Sequence, residues 1–261
     1  MRRLPSLLML LLGLAPLLAG SLAMAAEKNG ERAPDLVAYT EEWAPYNFSE
    51  GGEIKGISSD LLRAMCAEAR LQCELNIVPW ARAYTVALNT PNTLVYTTAR
   101  KPFREKLFGW VGPILPRATW VYGRANAERT LRGPKDMPLH RFGVVRGDAS
   151  VQDLLDAGVP QASLMTDSSN AAALRMLYSG WVDAYIDTEI GLAWTLKMTG
   201  IPAGAIVPLF PFNEGGHYYF ALNAKSDPEL AVKLQRALDT LRKNGRFDAI
   251  VRSYKINPAV E

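Results

Sequence analysis

Histidine and cysteine are scarce, with two of each in 261 residues. His140 and His217 stand far apart, and the chain has no His-Glu-x-x-His run, no cysteine–histidine pairing and no Gly-x-Ser-x-Gly elbow. The usual carriers of metal-assisted hydrolysis and acyl transfer are therefore missing, and no cofactor or metal is expected. The cysteines, Cys66 and Cys73, lack the Cys-x-x-Cys spacing of a redox site. No basic tract is concentrated anywhere, and the formal charge of +3 drops to about +1 without Arg2 and Arg3, which leaves nucleic-acid binding without an electrostatic footprint. Beyond the first residues no apolar stretch is long enough to span a bilayer, so the mature protein is expected to be soluble.

The N-terminus does carry an apolar run. Arg2 and Arg3 precede a stretch from Leu7 to Leu18, and Ala23-Met24-Ala25-Ala26 follows. A positive flank, a short apolar centre and small residues before Glu27 read as an export signal over residues 1–26. A retained anchor is the competing reading, but Gly13 and Pro16 interrupt the run, and it falls short of the ~20 residues a span needs. No cysteine is present there to accept a lipid. The expected compartment is the periplasm.

From Asp35 to Arg104, short apolar runs (LVAYT, LNIVP, TLVYTT) alternate with helix-like segments, the rhythm of an α/β fold with parallel strands. Polar and aromatic loops, EEWAPYNF, PWARAY and TTARKPFR, follow the strand ends, where such sheets bind ligands. Gly51-Gly52 reads as a hairpin tip. A helix is expected from Ser58 or Ser59, either of which can cap it, with Leu61, Leu62, Met65 and Ala69 as its buried stripe. LFGWVGPI reads as chain leaving one compact unit. A second alternating series starts at His140: HRFGVVRG, SLMTD, DAYID and AIVPLF as strands, with helices between. The strand HYYFALNAK then leads into the clearest amphipathic helix, whose apolar positions are Leu230, Val232, Leu234, Ala237, Leu238 and Leu241, opened by Asp227-Pro228-Glu229.

Cys66 and Cys73 are disulfide candidates in an oxidising compartment. On one continuous helix their alpha carbons would lie about 10 Å apart, too far to bridge. A bond requires the helix to end near Arg70 or Leu71; two free buried thiols are the alternative.

The segments WAPYNF, GISSDLLRAMCAEARLQCEL, PWARAY, FGWVGPI, GWVDAYID and DPELAVKLQRALDTLRKNGRFDAIVRSY resemble the periplasmic solute-binding proteins of family 3, the amino-acid class of ABC-transporter substrate-binding proteins. The resemblance extends over residues 35–254. It implies the type II periplasmic binding protein fold: two α/β lobes, each a mostly parallel sheet flanked by helices, joined by two crossing strands near 113–119 and 209–217. Lobe one would comprise residues 33–115 and 217–261, and lobe two residues 116–216. The implied activity is capture of a small polar solute, an amino acid or a related compound, between lobes that close on it. The implied partners are that ligand and an inner-membrane ABC permease, with the protein itself a monomer and no nucleic acid involved. A dehydratase-like enzyme of the same fold, in which Glu41, Glu42 and Asp187 would form an acid/base set, and a sensor for a signalling partner remain as alternatives.

The resemblance also implies site residues. An arginine after the third strand grips an α-carboxylate; Arg100 is preferred for its closeness to the strand end, and Arg104, nine residues before Pro113, is the alternative. Asp187 matches the aspartate that receives the α-amino group. Trp43 and Tyr46 are expected to stack on the ligand from a loop that Pro45 stiffens. Trp80 is expected as wall or core and Arg82 in or behind the pocket. One of Thr97 and Thr98, Thr98 in particular, should face the cleft. Gly147 to Ser150 offer free amides at a helix start, an anion-binding arrangement, while Ser168 and Ser169 cap the next helix. Two departures from the family stand out: NTPNT replaces the usual Gly-Asp before the third strand, and Asp148 brings negative charge to that helix start.

Overall fold

The alternating pattern resolves into two five-stranded sheets and a small hairpin. The computed structural model describes residues 33–128 and 130–254; the expected export signal at 1–26 lies outside them. Residues 34–254 fall within one compact unit. Among the described residues no helix is long and apolar enough to cross a membrane.

The chain starts with β1 (Leu36–Thr40), the hairpin β2 (Phe48–Glu50) and β3 (Glu53–Lys55), α1 (Ile57–Ala69), β4 (Cys73–Ile77), α2 (Trp80–Asn89), β5 (Thr93–Ala99) and β6 (Phe108–Val111). It continues through β7 (Thr119–Arg124), β8 (Phe142–Val145), α3 (Ala149–Asp156), β9 (Leu164–Asp167), α4 (Asn170–Ser179), β10 (Ala184–Asp187), α5 (Glu189–Thr199) and β11 (Ile206–Asn213). It returns as β12 (Tyr218–Asn223), α6 (Pro228–Lys243) and α7 (Arg246–Ser253). The first sheet has the order β4-β1-β5-β12-β6 and the second β11-β7-β10-β8-β9. This is the open, helix-flanked, two-lobed architecture expected.

Each sheet is mixed. β1 pairs in parallel with β4 and β5, and β8 with β9 and β10, whereas β12 runs antiparallel to β5 and β6, and β7 antiparallel to β10 and β11. The parallel pairs belong to strand–helix–strand crossovers; the antiparallel strands belong to segments that pass between the sheets and need no helical crossover. LFGWVGPI is one of these: it supplies the edge strand β6. Beyond it, residues 114–118 run beside 216–218, with Ile114 N donating to Tyr218 O at 2.6 Å and Arg117 N to Gly216 O at 3.0 Å.

Two local expectations are corrected. Neither Ser58 nor Ser59 caps α1, which starts after Gly56 with both serines fully buried. Its first amides are taken by backbone: Ile57 N donates to Pro45 O and Ser58 N to Tyr46 O, both at 2.9 Å. This seats the aromatic loop on the helix end, and Gly56 is required, since a Cβ there would stand 2.4 Å from Tyr46 O. On α6, Val232 is exposed, while Leu230, Leu234, Ala237, Leu238 and Leu241 are buried; the i, i+4, i+7 face leaves position 232 on the far side.

The disulfide forms. α1 ends at Ala69, Arg70 adopts a left-handed conformation, and the chain turns straight into β4, bringing the Cys66 and Cys73 alpha carbons to 6.2 Å. Lobe-one packing centres on Leu61, Leu62 and Met65 of α1 against Leu234, Leu238 and Leu241 of α6, with Leu36, Leu94 and Phe220 from the sheet. Ala149 and Ile190 of the second lobe join that cluster.

Candidate functional site

A cavity lies where the strand ends of the two sheets meet. Glu41 and Trp43 come from the loop after β1; Arg117, Thr119 and Tyr218 come from the passing segments; Val145 ends β8, and Asp148 and Ser150 follow it; Asn170 starts α4; Ile186 and Asp187 end β10. Loops after parallel strand ends thus converge on one point, as expected for this topology. The space open to a water-sized centre is about 30 Å³, room for about two waters.

Direct bonds hold the lobes together. Trp43 Nε1 donates to Asp187 Oδ1 at 3.3 Å, Tyr46 OH to Thr188 Oγ1 at 3.1 Å, and Trp80 Nε1 to Gly147 O at 2.9 Å. Lys101 Nζ meets Asp153 Oδ1 at 2.7 Å. Thr188 also caps α5, accepting from Gly191 N. Trp43, Tyr46 and Tyr218 form an aromatic cluster with ring centroids 4.4–5.4 Å apart.

The charged groups are unusually buried. Arg117 is 4% exposed and donates through Nη2 to Asp153 Oδ2 at 2.8 Å, leaving Nη1 without a protein partner. Glu41 Oε2 and Thr119 Oγ1, in the same cavity, are also unpartnered. Buried polar atoms are normally satisfied, so three unpartnered atoms on residues that line one cavity mark it as the candidate site. Burial pushes the Glu41 carboxyl well above its usual range, and the neighbouring Asp148 and Asp187 push it further, against Arg104. Burial likewise raises Asp187 to about 7, although Tyr185 OH, Thr188 N and Trp43 Nε1 all donate to it; Asp148 adds to the rise.

The residues expected from sequence divide in two. Trp43, Asp187 and Ser150 line the cavity. Tyr46 and Trp80 are buried beside it and bond across the lobes. Thr98 is buried within β5, its hydroxyl donating to Val95 O, and Thr97 bonds to Asn47; Arg82 is exposed on α2. Arg100 is at the surface outside the cavity, ion-paired with Glu105 at 2.5 Å. The 3₁₀ turn at Pro102–Leu107 supplies that partner and turns Arg104 inward. Arg104 is 2% exposed, donates to Gly147 O at 3.1 Å and lies over the Trp80 and Tyr84 rings, which reverses the sequence preference between the two arginines as far as position goes. The amides at the start of α3 are not all free: Asp148 Oδ1 accepts from Ser150 N at 2.8 Å and caps its own helix. Sequence reasoning passed over Arg117, Thr119, Asn170 and Tyr218, and weighed Glu41 only as an acid/base group. The available signal was position, since Arg117 and Thr119 sit where the chain was expected to cross between lobes and Tyr218 directly follows the second crossing.

Fold and cavity together define a two-lobed receptor that encloses a small solute. Residues 36–257 match the bacterial extracellular solute-binding proteins, family 3, and the chain belongs to that family. Membership places it among extracytoplasmic solute-binding proteins, in the periplasm; among the described residues no cluster of metal ligands occurs. It is similar to the probable amino-acid-binding protein YxeM of Bacillus subtilis, 20% identical over 223 residues that cover 84% of this chain and 82% of that one. In structure it resembles a histidine kinase sensor domain with similarity to periplasmic binding proteins, at TM-score 0.77 and 18% identity, covering 84% and 95% of the two chains. It also resembles an ancestral arginine-binding protein bound to arginine, at TM-score 0.74 and 20% identity, covering 84% and 97%. At these identities the structural likeness establishes the fold.

Proposed function

We propose that the protein captures an amino-acid-like solute in this cavity and presents its closed form to an inner-membrane ABC permease. Lobe one would comprise residues 33–115 and 217–261, lobe two residues 116–216, with the passing segments as hinge. Arg117, through its free Nη1, takes the acid group, helped by Thr119; Asp187 takes the amine; Trp43 and Tyr218 wall the space. Arg104 acts behind them by bonding Gly147 across the closed lobes, and Arg100 has no part in the grip. The observation that carries this reading is the set of buried, unpartnered atoms on Glu41, Arg117 and Thr119 around one interlobe cavity.

Ligand bound only to the native state raises the melting temperature. Thermal unfolding of the ligand-stripped protein against α-amino acids, amines and di-acids should show a clear rise with at least one amino acid. Arg117→Gln should weaken that ligand by about 10- to 100-fold, as loss of a charge-assisted bond does, while Arg100→Gln should leave it unchanged. Equal effects of the two substitutions would remove the grip as described. A sensory role is the second reading, supported by the likeness to a histidine kinase sensor domain. Stimulation of a permease's ATPase by the liganded protein supports delivery; ligand-dependent capture of a kinase ectodomain instead supports sensing.

A further inference from the structure

Carboxylates outnumber guanidinium groups in the cavity. Glu41, Asp148 and Asp187 line it, against Arg117 alone. Arg117 is already committed on one side, because Asp153 accepts from its Nη2 at 2.8 Å and is itself shared with Lys101 at 2.7 Å. Arg104 lies close enough to influence Glu41 but does not line the cavity. A neutral amino acid brings one positive and one negative group. Setting its acid on Arg117 and its amine on Asp187 would still leave Glu41, 93% buried with Oε2 unpartnered, facing Asp148 in a closed space.

We propose that the cleft selects a small solute of net positive charge, whose additional ammonium or guanidinium group is held by Glu41 and Asp148, and that Glu41 is the residue that sets this preference. The proposal rests on the two-lobed capture described above and specifies its substrate class. The geometry is favourable: Glu41 follows β1 in lobe one, whereas Asp148 and Asp187 follow β8 and β10 in lobe two. A cation between them draws the lobes together, and closure removes the water that would otherwise screen it. A buried carboxylate is costly alone and cheap when paired, so the empty site resists full ionisation and a cation relieves it. The raised Glu41 and Asp187 carboxyls accord with this; the groups acting on them are Asp148, Asp187 and Arg104 for Glu41, and Tyr185, Thr188 N, Trp43 and Asp148 for Asp187.

The test is calorimetric titration of the ligand-stripped protein near neutral pH with L-lysine, L-arginine, putrescine, L-glutamine and L-glutamate. A cationic probe should bind at least about tenfold tighter than glutamine, and Glu41→Gln should erase most of that ratio, a change of about 1.4 kcal/mol per tenfold. Circular dichroism of the variant checks its fold, and Glu41→Asp, which keeps the charge, should retain part of the preference. If lysine or arginine binds and Arg117→Gln weakens it, the solute is a basic amino acid; if putrescine binds regardless of Arg117, it is a diamine. Binding of glutamine or glutamate as tight as that of every cationic probe overturns the charge selection and leaves capture standing. An unchanged ratio in Glu41→Gln likewise overturns the role given to Glu41, with capture intact. Absence of binding by all five probes overturns both.

Discussion

Asp187 concentrates the chemistry of this protein in one side chain. It ends β10, accepts bonds from Tyr185, Thr188 N and Trp43, and still titrates near 7 because burial outweighs them. Its folded value lies above its unfolded value of about 3.8, so the empty folded protein holds the extra proton between the two. Stability from this group is therefore full below about pH 4 and is lost as pH rises through about 7, a swing of up to about 4 kcal/mol. Denaturant unfolding of the empty protein at pH 5 and pH 8 should show greater stability at pH 5 from this term, and Asp187→Asn should flatten the difference. Identical slopes in both proteins would refute it. Binding of an amine should run the opposite way, weakening as pH falls from 8 to 5, because the proton competes for the same oxygen atoms. Affinity and empty-state stability would then move in opposite directions over one pH window.

At the scale of elements, two devices hold the site's parts in place. The Cys66–Cys73 bond ties the end of α1 to the start of β4, and the start of α1 carries the aromatic loop through Pro45 O and Tyr46 O. Closing so short a loop limits the unfolded chain and contributes about 2–3 kcal/mol in the chain-entropy account. Reduction should lower the melting temperature by roughly 5–10 °C at this chain length, with ligand affinity near normal while the protein stays folded. The second device is Gly191 in the first turn of α5. A Cβ there would stand 2.5 Å from Asp187 Oδ1 and 2.8 Å from Trp43 Nε1. Gly191→Ala should therefore separate Trp43 from Asp187 and weaken ligand binding by about tenfold or more, with far-ultraviolet circular dichroism unchanged. Unchanged affinity would show that the Trp43–Asp187 contact is not part of the liganded state.

The whole molecule works as a hinge. Residues 114–118 and 216–218 lie side by side between the sheets, and the lobes meet through Trp43–Asp187, Tyr46–Thr188, Trp80–Gly147 and Lys101–Asp153. Some closed population is thus expected without ligand, and a ligand touching both lobes shifts the balance further. Small-angle scattering should show a smaller radius of gyration on ligand addition. Trp80→Phe, which removes the bond to Gly147 and keeps most of the packing, should expand the empty protein more than the liganded one. Equal radii with and without ligand would argue against hinge closure.

Much of this was legible in the linear chain. The alternation of apolar runs and capped segments specifies two α/β units, and the turn after Arg70 makes the disulfide possible, because these follow from neighbouring residues. That Trp43 and Asp187 would lie at the strand-end rim, where they line the cavity, was readable because their motifs are local as well. The choice between Arg100 and Arg104 was not, since it depends on a 3₁₀ turn that hands Glu105 to one and buries the other. Ser58 and Ser59 looked like caps only because the carbonyls of Pro45 and Tyr46, which displace them, come from a loop some ten residues earlier. Arg117 and Glu41 stood out least, as ordinary charged residues whose burial in the cavity comes from distant partners. Sequence alone therefore determined the fold class and the strand ends at which the cavity lies. Tertiary structure decided which charges face each other across the closed lobes, because burial and pairing depend on residues 43 to 144 positions apart in the chain.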